Sequence, residues 1–228
     1  MQNHSNDIAL IKMDKPVNFS GNESHLKPAC LDLIGIEKDL NNETRCVATG
    51  FGRLGHGSSP LPVILQQLEM KPYDHDECAR IHHIFYSIEE SKEEVTQKQF
   101  CMISKHNLDP ESYESFGGAC PGDSGGPLQC YINDNWIQLG VTWSGTDCER
   151  SPTVFQKIYK YATFIIQTSG YKLPSSCKVH FFEDKINKRK EIKAQQNNSS
   201  QQETTNSDKI LILILSLLNI PLINNRTS

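Results

Sequence analysis

The sequence has no excess of positive charge: 23 Lys and Arg residues stand against 27 Asp and Glu residues, for a net charge of -4. Without a basic stripe it lacks the electrostatic footprint of a nucleic-acid-binding protein, and we expect no nucleic-acid partner. It also has no C-x-x-C pair, and the long, irregular spacing of its eight cysteines does not suit a zinc site. An even cysteine count without a metal pattern favours disulfide bonds and therefore an oxidising, extracellular compartment.

The beginning of the chain lacks an export signal, because Met1–Asn6 has neither a basic flank nor an apolar run. Sequons for N-linked glycans, which belong to exported proteins, begin at Asn3, Asn18, Asn22, Asn42 and Asn198. The cysteines and sequons indicate an exported protein, whereas the beginning of the sequence shows no export signal. We therefore expect the sequence to be truncated at its N-terminus.

The middle of the chain, from Cys46 to Phe155, contains short β-rich runs separated by Gly, Pro, Asn and Asp. The runs are CVATGF, VILQQLEM, PLQCYI, WIQLGVTW and TVFQKI. This pattern predicts an all-β barrel or sandwich. The apolar run Asp7–Met13 predicts an earlier strand, and Asp14–Arg45 predicts a linker with short extended pieces.

Two stretches have helical character. Within Lys157–Thr168, apolar residues recur at helical spacing and predict a C-terminal amphipathic helix. These residues are Ile158, Tyr161, Phe164 and Ile165. The strongly charged segment Ser87–Val95 predicts a solvated helical insertion.

The most specific motif is Gly118–Leu128, with the sequence GACPGDSGGPL. An acyl-transfer enzyme needs a hydroxyl on an exposed, tight turn, and Ser124 stands between glycines here. It also needs backbone N–H groups directed at the developing oxyanion, which Gly122 and Ser124 can supply. Gly125 and Gly126 allow the substrate to approach. A plain Gly-rich β-turn does not account for a string of this length.

Five further segments, in the same order along the chain, resemble the trypsin/chymotrypsin family of serine proteases. They are DIAL at residues 7–10, CVATGFG at 46–52, VTQKQFCMI at 95–103, VTWSG at 141–145 and VFQKIYKYATFI at 154–165. The resemblance covers most of residues 3–168. It implies an all-β, chymotrypsin-like double β-barrel fold with the second barrel complete, most of the first barrel missing, and a C-terminal helix.

The resemblance also implies the roles of individual residues. Ser124 corresponds to the nucleophile, Asp7 to the triad acid, and Gly122 and Ser124 to the oxyanion donors. Asp123 corresponds to the residue that pairs with the α-amino group released by zymogen cleavage. The implied activity is that of a serine endopeptidase acting on protein or peptide substrates through an acyl-enzyme, with no cofactor and no metal.

Three disulfide bonds follow from the resemblance, since eight cysteines allow 105 connectivities by spacing alone. They are Cys46–Cys130, Cys78–Cys101 and Cys120–Cys148. Cys30 and Cys177 remain, and two alternatives stay open for them. In two-chain members the equivalent of Cys30 is tied to an upstream propeptide; otherwise Cys30 pairs with Cys177.

The sequence departs from the family where the catalytic base belongs. It contains neither a T-A-A-H-C motif nor an activation sequence like I-V-G-G. We interpret His4, His75, His82 and His83 as surface or loop residues rather than as the base. We therefore expect the chain to be inactive as it stands. The alternative is a non-catalytic serine-protease homologue that acts as a binding module.

The specificity pocket is predicted from the same alignment of motifs. Gly118, followed by Ala119, takes the floor position at which an Asp would select Lys or Arg. Bulkier residues than the usual glycines, Ser144 and Thr153, stand at the wall positions. The substrate-binding residues are thus predicted to be Gly118, Ala119, Thr142, Trp143, Ser144 and Thr153. We expect cleavage after small or uncharged residues, with the acidic segment Ile103–Phe116 as a solvated surface insertion.

The last part of the chain changes in composition. We expect a protease domain over residues 1–172, a disordered polar tail over 173–209 and a hydrophobic segment over 210–223. The apolar run Ile210–Ile223 is shorter than the ~20 residues of a membrane-spanning helix. With Asn198–Ser200 as attachment site and Gln201–Lys209 as spacer, it fits a glycosylphosphatidylinositol signal and hence a membrane anchor. A frameshifted or read-through terminus remains the alternative.

Overall fold

The fold is described from a computed structural model, which covers residues 6–55, 61–88, 95–105, 117–144, 148, 150–172 and 177. Its strands are β1 (Cys30–Leu31), β2 (Arg45–Gly50), β3 (Gln66–Tyr73), β4 (Gln99–Ser104), β5 (Pro127–Ile132), β6 (Asn135–Ser144) and β7 (Thr153–Lys157). Its α-helices are α1 (His75–Ile88) and α2 (Ala162–Ser169), and short 3₁₀ helices span Ile36–Asp39 and Ile158–Tyr161.

Six of the strands form a closed antiparallel barrel. The neighbours run in the order β6, β5, β2, β3, β4 and β7, and pairing of β7 with β6 completes the ring. Strand β1 adds to β6 in parallel from outside the ring. Closure leaves the six strands without a free edge, so their backbone groups are paired on both sides. The prediction of an all-β, chymotrypsin-like fold with a complete barrel is confirmed.

The barrel core takes buried side chains from all six of its strands. Met70, Leu128, Leu139 and Phe155 are all 0% exposed. The ring of Phe155 packs on that of Phe100 at a centroid distance of 5.8 Å, a tilted arrangement that adds about 0.5–1.5 kcal/mol to the burial itself. A core this dense makes the barrel a rigid support for the loops at its end.

The C-terminal helix forms as predicted, but its first turn is a 3₁₀ helix. Because a 3₁₀ turn has three residues instead of 3.6, the buried face rotates along the segment. Ile158, Tyr161 and Ile165 are buried, whereas Phe164, expected on the same face, is 41% exposed. The helix ends at Gly170, which has the left-handed backbone (φ 64°) typical of helix ends.

Of the second predicted helix, over Ser87–Val95, Ser87 and Ile88 are the last residues of α1, and residues 89–94 lie outside the described part of the chain. Helix α1 begins much earlier than predicted and spans His75–Ile88. Its start has a local cause: the Asp74 carboxylate accepts a hydrogen bond from the N–H of Glu77 at 2.8 Å. An Asp followed three residues later by Glu is a helix-start signal that the sequence interpretation overlooked. His75, His82 and His83 are therefore helical residues, not loop residues.

The predicted strand over Asp7–Met13 is also absent from the described structure. Apart from one isolated bridge at Lys12, this stretch is extended without regular pairing. A strand needs a neighbour for its N–H and C=O groups, and the six barrel strands already have neighbours on both sides. The segment instead runs along the outside of the barrel.

All eight cysteines are joined in disulfide bonds. Three of the bonds, Cys46–Cys130, Cys78–Cys101 and Cys120–Cys148, are those implied by the family resemblance. The fourth joins Cys30 to Cys177, so the second of the two alternatives for these residues holds. The rest of the predicted tail, including Ile210–Ile223, lies outside the described residues. Within the described ranges, no helix is long and apolar enough to cross a membrane.

Candidate active site

Ser124 lies at the exposed tip of a tight turn between β4 and β5. Hydrogen bonds on both sides close the turn: Asp123 N–H donates to Cys120 O, and Gly126 N–H donates to Asp123 O, each at 2.9 Å. Gly125 N–H donates to the carbonyl oxygen of Thr142 on β6 at 2.9 Å. The serine hydroxyl is thus presented to solvent by a backbone that is fixed to the barrel.

The N–H groups of Gly122 and Ser124 take part in none of the hydrogen bonds among the described residues. Gly122 has a φ of 101°, a left-handed conformation in which a side chain would be strained. A Cβ at this position would also lie 3.1 Å from the Cα of Gly52. The turn therefore needs glycine here, and it leaves two neighbouring backbone donors available to an anion.

Asp123 points the opposite way from Ser124, into the protein, and is 7% exposed. Its carboxylate accepts the N–H of Gly52 at 2.8 Å and the N–H of Cys120 at 3.0 Å. A Cβ at Gly50 would lie 2.0 Å from its Oδ1, and one at Gly52 would lie 2.4 Å from its Cγ. The two glycines of the CVATGFG motif are thus required by the close approach of this buried carboxylate.

A small cavity adjoins Asp123. Its volume is about 10 Å³, and its lining includes Thr49, Leu68 and Thr142. This is about the space that one water molecule needs. Within the described part of the chain, two backbone N–H groups donate to the Asp123 carboxylate, and little free room lies beside it.

Asp7 and Ser124 line the same cleft, which has a volume of about 590 Å³. Most of its other lining is apolar and includes Ile8, Leu10, Leu31, Val141, Trp143 and Ile158. Four histidines belong to the described residues: His25, His75, His82 and His83. None of these four lines the cleft.

Asp7 itself is exposed, and the residue before it is tied to the barrel. The side-chain oxygen of Asn6 accepts a hydrogen bond from Nζ of Lys98 at 2.6 Å, and its carbonyl accepts the N–H of Ile8 at 2.9 Å. Burial raises the pKa of the Tyr161 hydroxyl, and the negative charge of Asp7 raises it further. Asp7 is therefore held next to the C-terminal helix at one side of the cleft.

The predicted pocket residues come together beside the Ser124 turn. Gly118 and Ala119 are buried, and Thr153 is 0% exposed. The hydroxyl oxygen of Thr153 accepts the N–H of Ala119 at 2.9 Å. It lies so close to Gly118 that a Cβ there would be 2.4 Å from it. The predicted wall residue thus rests directly on the predicted floor.

The remaining predicted pocket residues belong to the end of β6. Thr142 is buried, and its hydroxyl donates to the carbonyl oxygen of Gly126 at 3.1 Å, while Trp143 lines the cleft. Ser144 ends the strand opposite Val154 of β7. Most of the acidic insertion predicted over Ile103–Phe116 lies outside the described residues.

Two features of the site were missed by sequence reasoning. The first is His82, which is 0% exposed and packs behind the pocket wall, its Nε2 lying 3.0 Å from the carbonyl oxygen of Pro152. The spacing of Cys78, Ile81 and His82 on one helical face could have indicated its burial. The second is a buried ion pair involving Lys157, the residue before the cleft-lining Ile158: Lys157 Nζ lies 3.9 Å from Glu37 Oε1. Burial raises the pKa of Glu37 and lowers the pKa of Lys157.

The sequence is similar to those of known proteins. The sequence model of the Trypsin family matches residues 1–165. The chain is 29% identical over 170 residues to Serine protease 7 of Drosophila melanogaster. That match covers 73% of this chain and 38% of the relative, so the chain spans well under half the length of that protein. The chain belongs to the trypsin family of serine proteases.

Proposed function

We propose that these residues form the nucleophile-bearing half of a serine endopeptidase, with Ser124 as nucleophile and Asp7 as the acid of a Ser-His-Asp triad. One observation carries the proposal: an exposed serine shares a cleft with an aspartate, on a turn whose neighbouring N–H groups make no hydrogen bond with any of the described residues. Protein or peptide substrates follow from the family. The fold alone would not establish catalysis, because function depends on the site.

In the proposed reaction, Ser124 Oγ attacks the scissile carbonyl and transfers its proton to a histidine. The N–H groups of Gly122 and Ser124 stabilise the oxyanion that forms. Removal of one such donor typically costs about 2.7–4 kcal/mol of transition-state stabilisation. Asp7 orients the histidine and stabilises its protonated form.

The base is the part of the triad that we do not assign within residues 1–228. No histidine of the described residues lines the cleft, and the sequence has no T-A-A-H-C motif. We therefore expect residues 1–228 alone to react about 10⁶-fold more slowly than a complete enzyme, the typical cost of losing a triad member. The same observation favours the second candidate, a homologue that binds proteins without cleaving them.

The preferred residue before the cleaved bond is proposed to be small or uncharged. Ser144 and the buried Thr153, at the wall positions, shorten the pocket, and Gly118 leaves the floor position without a carboxylate. A buried Lys or Arg side chain would have no counter-charge there, at a cost of several kcal/mol. Activation by pairing of Asp123 with a newly released α-amino group also belongs to the proposal, and would require the small cavity beside Asp123 to widen.

The setting of the enzyme is proposed to be extracellular, because four disulfide bonds persist in oxidising compartments. N-linked glycans at the sequons and a membrane anchor formed through Ile210–Ile223 are parts of this proposal. Phosphatidylinositol-specific phospholipase C would release an anchored protein from expressing cells. A protein that stays on the membrane after this treatment would argue against the anchor.

Labelling with a fluorophosphonate probe tests the catalytic proposal. The probe reacts only with an activated serine, which displaces its fluoride. Two forms are compared: residues 1–228, and the product of the source transcript including any coding sequence upstream of Met1. We expect labelling of the longer product at Ser124, none in its Ser124→Ala variant, and almost none of residues 1–228. A longer product that carries a histidine motif and yet stays unlabelled would favour the binding module.

A further inference from the structure

The segment between β1 and the turn before β2 packs into the barrel core, and we name Asp32–Asp39 the core plug. Its Ile34 and Ile36 are 6% and 1% exposed, and they belong to the same buried cluster as Met70 and Leu139 of the barrel. The plug ends in the 3₁₀ helix Ile36–Asp39. Its closed position is therefore stabilised by apolar burial, and any charge inside it must be tolerated away from water.

The first buried charge of the core plug has backbone partners. Asp32 is 0% exposed, and its carboxylate accepts the N–H groups of Ile34 at 2.9 Å, Gly35 at 2.7 Å and Ile36 at 2.8 Å. Hydrogen bonds donated to a carboxylate favour its ionised form. Asp32 is thus well placed to stay negatively charged while the plug is closed.

The second buried carboxyl group lacks such partners. The side chain of Glu37 is only 4% exposed, and none of the described residues donates a hydrogen bond to either of its oxygens. Its ion pair with Lys157 of β7 spans 3.9 Å, whereas a charge-assisted hydrogen bond is about 2.7–2.9 Å long. An ionised Glu37 would therefore be a poorly compensated anion in the same interior as Asp32.

Charged groups face Glu37 from both elements that meet here. Burial raises the pKa of Glu37, the charge of Asp32 raises it further, and Lys157 and Lys38 lower it in part. Burial lowers the pKa of Lys157, with Glu37 opposing this and Lys160 and Lys38 adding to it. Burial also raises the pKa of Asp32, but the backbone donors oppose that rise. Of the two carboxyl groups, Glu37 is the one that takes up a proton at little cost, since it has no donors to lose.

We propose that Glu37 is a proton-operated latch of the core plug: with a proton on Glu37 the plug stays closed against β7, and loss of that proton favours opening of the plug. Leu31 and Ile158, which adjoin the plug and Lys157 in the chain, both line the cleft of Ser124. Opening would therefore loosen one side of this cleft. The latch itself does not depend on the proposed endopeptidase function, whereas its effect on a reaction does.

The direction of the pH effect follows from linkage. The pKa of Glu37 is higher in the closed plug than its ordinary value of 4.5, so the closed form binds the proton more tightly than the open form. The stabilisation that the proton supplies is complete below pH ~4.5 and is lost as the pH rises through the pKa of the closed form. The plug should open more readily at neutral than at mildly acidic pH.

Two substitutions and one control separate the proton from ordinary packing. Glu37→Gln keeps the size of the side chain but cannot ionise, so it fixes the neutral state of the latch. Lys157→Met removes the cation that offsets the buried anion and should enlarge the pH effect. Glu43→Gln, at an exposed position in the turn before β2, is the matched control.

The measurement is hydrogen exchange of individual amides by NMR in residues 1–228, corrected for the intrinsic pH dependence of exchange. The Ile36 amide, which donates to Asp32, reports opening of the plug, and the Val47 amide in the β2–β3 pairing reports global opening. From pH ~5 to pH ~8 we expect the protection of Ile36 relative to Val47 to fall about fivefold in the unsubstituted protein and in Glu43→Gln. In Glu37→Gln it should stay within about twofold, and in Lys157→Met it should fall further than in the unsubstituted protein.

Three results would overturn the proposal. The first is a relative protection of Ile36 that does not change with pH in the unsubstituted protein. The second is an equal fall in Glu37→Gln and in the unsubstituted protein, because the titrating group would then lie elsewhere. The third is a smaller fall in Lys157→Met, which would mean that the ion pair, and not the proton, holds the plug closed.

Discussion

Replacing Gly118 by Ala tests the contact on which the predicted pocket depth depends. The new Cβ would lie 2.4 Å from the hydroxyl oxygen of Thr153, so the wall must move or the protein must accept the strain. Overpacking of this kind costs about 1–3 kcal/mol. We expect Gly118→Ala to lower the free energy of unfolding by about 2 kcal/mol. A few tenths of a kcal/mol of this loss is offset because alanine restricts the unfolded chain more than glycine does.

Thr153→Ala acts on the same contact from the other side. It removes the oxygen that accepts the Ala119 N–H and leaves a buried donor unpaired, at a cost of about 1–3 kcal/mol. In the double variant the methyl group introduced by Gly118→Ala enters the space left by the hydroxyl. The two costs should therefore not add, and we expect the double variant to be about 1–2 kcal/mol more stable than additivity requires.

Urea unfolding of the single and double variants measures this coupling, and Thr153→Val supplies the matched control. Valine keeps the volume of threonine but cannot accept the hydrogen bond, so it leaves the clash with the introduced methyl group in place. Gly118→Ala combined with Thr153→Val should show no relief. If the Gly118→Ala and Thr153→Ala costs simply add, or if Gly118→Ala costs nothing, Thr153 does not rest on the pocket floor as described.

Three further predictions concern stability. Burial raises the pKa of Tyr171 to about 12 from its ordinary value of 10.0, so the unfolded chain ionises first. The contribution of Tyr171 to stability should be constant below pH ~10 and fall by about 2–3 kcal/mol by pH ~12; urea unfolding should show this loss, and Tyr171→Phe should remove it while leaving the contribution of Tyr161, whose pKa is also raised. Replacing Cys30 and Cys177 together by serine should lower the free energy of unfolding by about 4–5 kcal/mol, because the bond closes a loop of 147 residues that another disulfide bond already shortens. An unchanged midpoint of urea unfolding would exclude the bond. Asp123→Asn turns an amide group toward one of two buried N–H donors and should cost about 2–3 kcal/mol, whereas a thermal midpoint equal to the original would contradict the described carboxylate contacts.

Local chemistry explains how much of the candidate site could be predicted from the sequence. The turn around Ser124 depends on neighbours within a few residues, and its glycines are required by a φ of 101° at Gly122 and by space. The glycines of CVATGFG are likewise required by limited space, although the residue that limits it, Asp123, is 71 residues from Gly52. A short motif of this kind therefore reflects a close-packing requirement, even where the packing partner is distant in the sequence. The start of α1 was equally local and could have been found from Asp74 and Glu77.

Other features depended on contacts between distant parts of the chain. The pairing of Cys30 with Cys177 was one of two alternatives, because spacing alone cannot choose between connectivities. The bond from His82 to Pro152, across 70 residues, has no sequence pattern, since neither residue type announces a hydrogen bond to the other.

The sequence by itself determined the tight turn around Ser124, the β-rich character of the chain and the C-terminal helix, because each depends on local backbone preferences and on the spacing of apolar residues. Only the tertiary structure decided that Asp7 and Ser124 share a cleft. It also placed Thr153 on Gly118 and buried His82 behind that wall. The physical reason is closure of the barrel. Pairing of β7 with β6 brings together segments that are distant in the sequence, and no periodicity in the sequence predicts which segments will meet.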